Sequence, residues 1–446
     1  MLWTSILACT PPDDDPPGAD AVSCAAQDDN VLRVDCTVDR ASSSLTYTDP
    51  DGDSVTLQGD GPYTLWGLRP ETAYQVSVST DGGPLDQAFT TDPLPEALSG
   101  LTVDVGGATS LEALIQPLTC GGVSFVVVLD PTGAVRWYQP VSEVAANQQG
   151  VGGMSLTDDG VLVLTEGGIQ EWSFTGAPGL TIPGGPGALR LHHDVVRAGD
   201  DTLALFAEDV IGPDGNVYVV DGVAVYDAAG ALVDQWHLID HLDPNQLLAG
   251  GGPPANLGGP PDLGEPLDWS HANGITVTPD GGWIVSFRWL SAVYGIDGNR
   301  SSPTFGEVVG VITGDAASPI PSSFVVDAEG QFLGQHHATL VDDQLTLFDN
   351  RQPPEPSRAV TLRLDEDAGT ATTVETHSVG EFCPVEGGAV PLPDGGVFAT
   401  CATSGVGMEF PAGSGDVPTF TIHAPMGFFI PRPSWIVPSP PTNGIL

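Results

Sequence analysis

From about residue 100 onward the chain keeps returning to one phrase: an apolar run, an Asp-x-x-Gly turn, and a second apolar run. It reads VVVLDPTGAVRWY at 126–138, AVYDAAGALVDQWH at 224–237 and FVVDAEGQFLGQHH at 324–337. A second phrase, a turn followed by an apolar strand, largely alternates with it: TDDGVLVLTEGG, AGDDTLALFAED, PDGGWIVSFR, DDQLTLFDN and PDGGVFATC. Short apolar runs bounded by Asp and Gly turns read as strands joined in hairpins. A lone hairpin cannot bury its apolar face, so a chain built from them must pack sheet against sheet. Blades of four strands around an axis meet that demand. The expected fold is therefore all-β, with a six-bladed β-propeller over residues 100–440. A row of separate sandwich domains is the competing reading, disfavoured because the repeats run on through 110–420. The segment LLAGGGPPANLGGPPDLGEPLD at 247–268 reads as a surface loop reaching toward one mouth.

Ahead of the repeats, residues 20–94 carry short strands at regular spacing and read as a small immunoglobulin- or fibronectin-like β-sandwich. GLRPETAYQVSVST resembles the closing part of such a domain, with Tyr74 at the start of a late strand. DPDGDS at 49–54 has alternating aspartates but no glycine at the sixth position of a calcium loop, and we read it as an acidic turn.

The charge removes whole classes of function. With 58 acidic residues against 12 cations, every one an arginine, the formal net charge is -46. Such a surface repels phosphate backbones, so no nucleic-acid partner is expected. Without lysine there is no Schiff-base chemistry and no P-loop. An anionic substrate would need a local cluster of arginine or histidine to enter against the mean field. By itself, the charge describes a solvated, highly soluble surface.

Residues 1–19, MLWTSILACTPPDDDPPGA, combine an apolar segment ending in a lipobox-like Leu7-Ala8-Cys9 with an acidic, proline-rich tether. They imply export and lipidation at Cys9, with the protein periplasmic or anchored to the outer membrane or cell surface, although the segment is short and lacks a basic start. Membrane association would run through that lipid alone. Cysteine usage agrees with an oxidising compartment: Cys24 with Cys36 and Cys383 with Cys401 are expected disulfides, and Cys120 has no evident partner.

Three histidine stretches stand out: LHHDVVRAGDDTLALF, DWSHANGITVTPDGGWIVSFR and GQHHATLVDDQLTLFDNR. Each histidine precedes an acidic turn by six to nine residues: His193 before Asp200, His271 before Asp280, His336 before Asp342. Strands at the same slot in different blades would bring these imidazoles together near the axis at one mouth. The hairpin from His271 returns at Arg288, and Asn273 shares a strand face with His271 if that segment is extended. Three imidazoles, an amide and a guanidinium suit a tetrahedral oxyanion. A single histidine at a strand end is usually structural, and metal ligation is the next alternative. No HxH or HExxH spacing supports a metal, and none is expected. His237, His241, His377 and His423 fall outside the slot.

HHD, DWSHANG, SFRWLSAVYGID and GQHHATL…LFDN resemble the bacterial arylsulfate sulfotransferases, over roughly residues 100–430. The resemblance implies a six-bladed propeller behind a β-sandwich that uses neither nucleotide sulfate, metal nor other cofactor. It implies an aryl sulfate donor and a phenolic acceptor as partners, and it is compatible with a homodimer. Carried across by position, His336 is the nucleophile that forms a sulfohistidine. His271 and Asn273 hold the sulfuryl oxygens beside Arg288, and His193 is the third histidine and the expected proton carrier. The doublets leave His192 in place of His193, and His337 in place of His336, open. A covalent intermediate lets donor and acceptor use one pocket in turn, which predicts ping-pong kinetics. Two other readings stay open at this stage: a non-catalytic cell-surface propeller that binds carbohydrate or protein, and a quinone-dependent dehydrogenase.

Overall fold

The computed structural model describes residues 21–109, 111–120, 123–141, 151–157, 159–185, 187–249, 266–315 and 318–423, and the backbone of 434–435. Cys9, the acidic tether and most of the 247–268 loop lie outside the described residues.

The first seven strands form two antiparallel sheets. One is ordered Val22–Gln27, Asn30–Val38, Tyr63–Leu65; the other Ser54–Gln58, Ser42–Thr48, Ala73–Thr80, Leu85–Thr90. Each buries one face, and the sequence shows it. In AYQVSVST, Tyr74, Val76 and Val78 are buried while Ala73, Gln75 and Ser77 are exposed, the period-two pattern of a half-buried strand. Leu32, Val34, Leu45 and Tyr47 from the two sheets share one core, which runs on into Phe125, Val127 and Tyr138 and into Phe398 and Phe420. This unit is therefore docked on the repeat region. Asn30 Nδ2 donates to the Tyr138 carbonyl at 2.7 Å and Arg136 Nε to that of Gly67 at 2.8 Å. DPDGDS is a turn: Asp49 Oδ1 accepts the amides of Asp51 and Asp53, and Arg69 pairs with Asp49 and Asp51.

After residue 100 the described residues form six sheets of four or five strands, each built on an antiparallel meander. The first spans 114–141, the second 153–183, the third 190–237, the fourth 272–313, the fifth 336–378 and the sixth 388–423. Their middle strands differ in kind from those of the first unit. FVVVL at 125–129 and Trp283–Phe287 are buried along their whole length, because neighbouring sheets cover both faces. Each such fully buried aliphatic side chain is worth about 1.5–3 kcal/mol.

The leading strands of successive sheets lie side by side. Gly153–Leu156 packs on Arg190–Ala198, that on Ala272–Val277, that on His336–Val341, and that on Gly388–Pro391. Both ends of the repeat region stitch the arrangement. Asp104–Gly107 adds to the outer edge of the sixth sheet, and Ser434–Trp435 pairs with Leu114 and Ile115 at the inner edge of the first. Tryptophans that follow the Asp-x-x-Gly turns tie one sheet to the next. Trp137 Nε1 donates to the Phe174 carbonyl, and Trp236 Nε1 to that of Gly306.

Two of the three Asp-x-x-Gly repeats are hairpins, 123–141 and 217–237. The third is not. Val325–Val326 instead runs parallel to Thr370–Ser378 at the edge of the fifth sheet. Asp327 there binds Thr373, and the chain crosses to the leading strand. The motif is a turn signal in all three places, but only topology tells whether the turn joins neighbours. Both expected disulfides are present, Cys24–Cys36 and Cys383–Cys401, and Cys120 is a free thiol.

Candidate active site

The histidine stretches enter the leading strands of the third, fourth and fifth sheets, and a backbone feature marks the entry. His193, His271 and His337 have φ of 55°, 53° and 47°, the left-handed region that L-residues with bulky side chains rarely occupy. At each the ladder shifts register: between Leu191 and Val195, between Ala272 and Gly274, and between His336 and Thr339. The shared slot therefore exists, but in the fifth sheet it holds His337, with His336 one residue before it. The same shift breaks the strand alternation that would have placed His271 and Asn273 on one face, since a bulge resets side-chain direction.

The groups do meet. The His192 and His193 rings touch through Nδ1 atoms 2.8 Å apart, one donating and the other accepting. The His193 and His271 ring centroids are 4.7 Å apart, and those of His271 and Trp289 are 5.0 Å apart. The Arg288 guanidinium lies over Trp289 at 4.1 Å, near the start of the hairpin as antiparallel pairing requires, with its amide bonded to the His271 carbonyl. Arg288 then reaches the sixth sheet, donating from Nη2 to the Pro384 carbonyl at 2.6 Å. Two residues on, the Glu386 amide donates to His336 Nε2 at 3.2 Å. An arc therefore runs His192, His193, His271, Trp289, Arg288, the 384–386 loop and His336, across four sheets.

Carboxylates and amides orient the arc. His271 Nδ1 contacts Asp268 Oδ2 at 2.5 Å, and Trp289 Nε1 donates to the same oxygen. Burial pushes the Asp268 carboxyl up, but the His271 and Trp289 contacts outweigh it and hold it below its ordinary value. His192 Nε2 lies 3.0 Å from Asp221 Oδ1, at ion-pair distance but off the line of a hydrogen bond. Asp221 Oδ2 also accepts the Ser270 hydroxyl and the Ala272 amide, so one buried carboxylate of the third sheet fixes the segment carrying His271. Asp194 does likewise through the Ile275 amide. Gly153 of the second sheet completes the fit: a Cβ there would sit 2.2 Å from the His193 carbonyl.

His336 is buried. Its Nδ1 meets Asn350 Oδ1 at 2.7 Å, and the Asn350 amide donates to the carbonyls of Cys383 and Glu386. An amide oxygen only accepts, so His336 carries its proton on Nδ1 and keeps the lone pair on Nε2. Asn273 is buried and donates to the Gln335 carbonyl, clamping the fourth sheet to the fifth. Burial pulls Arg288 down to about 10, against the opposing fields of Glu386 and Asp268, so it stays cationic at neutral pH. Among the described residues, no group of three or more His, Cys, Asp or Glu side chains is placed to hold a metal.

Sequence reasoning missed Asp221, Asp268, Trp289, Asn350 and Glu386. The spacing rule could have found the last. Glu386 precedes the turn at Asp394 by eight residues, and its φ is 55°, so it occupies in the sixth sheet the slot that histidine fills in the three before it. Asp221 lies inside an unremarkable strand and carries no signal of its own.

Among solved structures, a Lactobacillus plantarum protein is 16% identical, with 68% of this chain and 78% of that one aligned and a TM-score of 0.37. TolB from Acinetobacter baumannii is 11% identical, over 82% and 79%, with a TM-score of 0.37. A lignostilbene dioxygenase from Pseudomonas brassicacearum is 10% identical, over 75% and 94%, with a TM-score of 0.36. Likeness this distant carries no functional argument. No curated protein matches the sequence. The arylsulfotransferase (ASST) family model does match, over residues 113–417, which takes in the leading and middle strands of all six sheets and every residue of the arc. The chain belongs to the arylsulfotransferase family.

Proposed function

We propose that this protein moves a sulfuryl group from an aryl sulfate ester to a phenol through a sulfohistidine, with no nucleotide donor, metal or other cofactor. The carrying observation is the arc of His193, His271, Arg288 and His336, which spans three adjoining sheets and touches the 384–386 loop of a fourth. In this reading His336 Nε2 gives up the hydrogen bond from the Glu386 amide and attacks sulfur in line with the departing phenolate. Its Nδ1 proton rests on Asn350, an amide that cannot take it. The sulfo-imidazole therefore stays cationic and remains a good leaving group for the second step. His271 and His193 face the equatorial oxygens, with Arg288 supplying a cation beside them. Asn273 holds the fourth and fifth sheets in register for them. His192 steadies His193, and His337 backs His336 from the slot position.

The finer architecture belongs to the same proposal. The six sheets are read as propeller blades spanning 100–440, closed by strands from both ends of that region. The strand order of residues 20–94, together with the Tyr74 hydroxyl accepting the Arg69 amide at 2.9 Å, supports a fibronectin-like sandwich. The two disulfides support export to an oxidising compartment, where lipid on Cys9 would anchor the chain and a homodimer could form.

The test is 4-nitrophenyl sulfate with and without phenol, in the absence of nucleotide and metal. Nitrophenol release that depends on phenol, with parallel double-reciprocal lines, is expected. Release indifferent to phenol would make the protein a sulfatase. No release with any aryl sulfate would leave a binding protein and end the proposal.

A further inference from the structure

The geometry points to Glu386 as the group that hands a proton to the departing phenolate and takes one from the incoming phenol; this rests on the sulfuryl-transfer reading above. Glu386 stands in the slot of the three histidines, two residues before Gly388, where strand pairing of the sixth sheet begins. Its own amide touches His336 Nε2, so the side chain springs from beside the attacking nitrogen. It cannot drift. A Cβ on the next residue, Gly387, would lie 2.5 Å from the Phe348 ring, and Phe348 is the cross-strand partner of His336.

Among the buried polar atoms here that have no hydrogen-bond partner among the described residues are Glu386 Oε2 and Arg288 Nε. Each group feels the other's charge, yet they form no ion pair. One open acceptor and one open donor beside the 384–386 loop suit a ligand that offers both. The charged and titratable groups facing Glu386 are Arg288, from the turn after Trp283–Phe287, and His336, from the fifth sheet. Burial pushes the Glu386 carboxyl up to about 8, against the opposing pull of Arg288, so at neutral pH it holds a proton to give. The other candidates are committed: His271 to Asp268, the His192 and His193 rings to each other, and Asp194 and Asp221 to backbone amides.

The balance closes. In the first half-reaction the His336 N–S bond forms and the sulfur–aryl oxygen bond breaks. The phenolate leaves with the Glu386 proton, which leaves a carboxylate. In the second, that carboxylate takes the proton of the acceptor phenol as its oxygen bonds to sulfur. The N–S bond breaks, and neutral His336 and protonated Glu386 return.

The experiment compares wild type with Glu386→Gln on two donors, phenyl sulfate and 4-nitrophenyl sulfate, over a pH series. Phenolate needs protonation to leave, whereas 4-nitrophenolate needs little. The variant is expected to lose about 10²–10³-fold in kcat on phenyl sulfate and less than about tenfold on 4-nitrophenyl sulfate. It should also lack the alkaline fall in rate that wild type shows, and Glu386→Asp should restore part of the phenyl sulfate rate. Equal loss on both donors, or no loss, overturns the assignment while leaving the transfer reading intact, provided thermal melting shows both variants folded. A wild type inactive on every donor overturns both.

Discussion

Replacing His336 and His337, each by glycine and by alanine, separates two neighbours that the sequence could not tell apart. His337 has φ of 47°, while His336 begins an extended strand. Holding an L-residue in the left-handed region costs about 1–2 kcal/mol, and glycine escapes that cost. Against this, glycine in a strand gives up roughly 0.5–1 kcal/mol to alanine through its freer unfolded chain. Both variants of a pair delete the same imidazole, so its contacts cancel and the difference reports backbone alone. His337→Gly should therefore be more stable than His337→Ala by about 0.5–1 kcal/mol, net of the two effects. His336→Gly should be less stable than His336→Ala by a similar amount. Urea titration with a common m value reads both differences. The same sign at both positions, or alanine preferred at His337, would refute the slot assignment, and with it the equivalence of His193, His271, His337 and Glu386.

Three further outcomes are expected. A carboxyl raised from 4.5 to about 8 in the fold binds its proton more tightly there than when unfolded. Its contribution is thus fully present below pH 4.5 and is lost as pH rises through 8. Glu386→Gln should flatten that decline, as measured by the urea midpoint between pH 5 and 8; an unchanged slope would place the raised carboxyl elsewhere. Tyr74→Phe should cost about 1 kcal/mol by removing the hydroxyl that accepts the Arg69 amide, read as a lower urea midpoint; no change would mean that water replaces the contact. Replacing Cys383 and Cys401 with serine should lower the thermal midpoint and cost about 2–4 kcal/mol. It should also reduce kcat, because that bridge pins the loop touching Arg288 and His336; unaltered kcat would separate the bridge from the site.

The sequence announced the sheets more clearly than the site. Runs such as FVVVL were legible because strands covered on both faces need no polar alternation, and AYQVSVST was legible because a strand covered on one face does. The histidines at 193 and 271 were found through spacing to an acidic turn, since turn and slot sit at opposite ends of one strand. The choice between 336 and 337 was not legible. A bulge alters register by one residue, and no residue type in GQHHATL records where it falls. Asp221 and Asn350 act through distant carbonyls, amides and rings, so only the assembled sheets bring out their roles. Glu386 was hidden for a different reason: histidine marks the slot in three sheets, and the sixth fills the same backbone position with an acid.

The most direct test of the covalent account is to quench wild type after mixing with 4-nitrophenyl sulfate in the absence of acceptor, keep the sample alkaline, and map the peptide mass. One added sulfuryl group on the His336 peptide, localised to that imidazole, lost on adding phenol and absent in His336→Ala, is the expected result. Full turnover by His336→Ala, or an adduct on His337 or on any other residue, would contradict it.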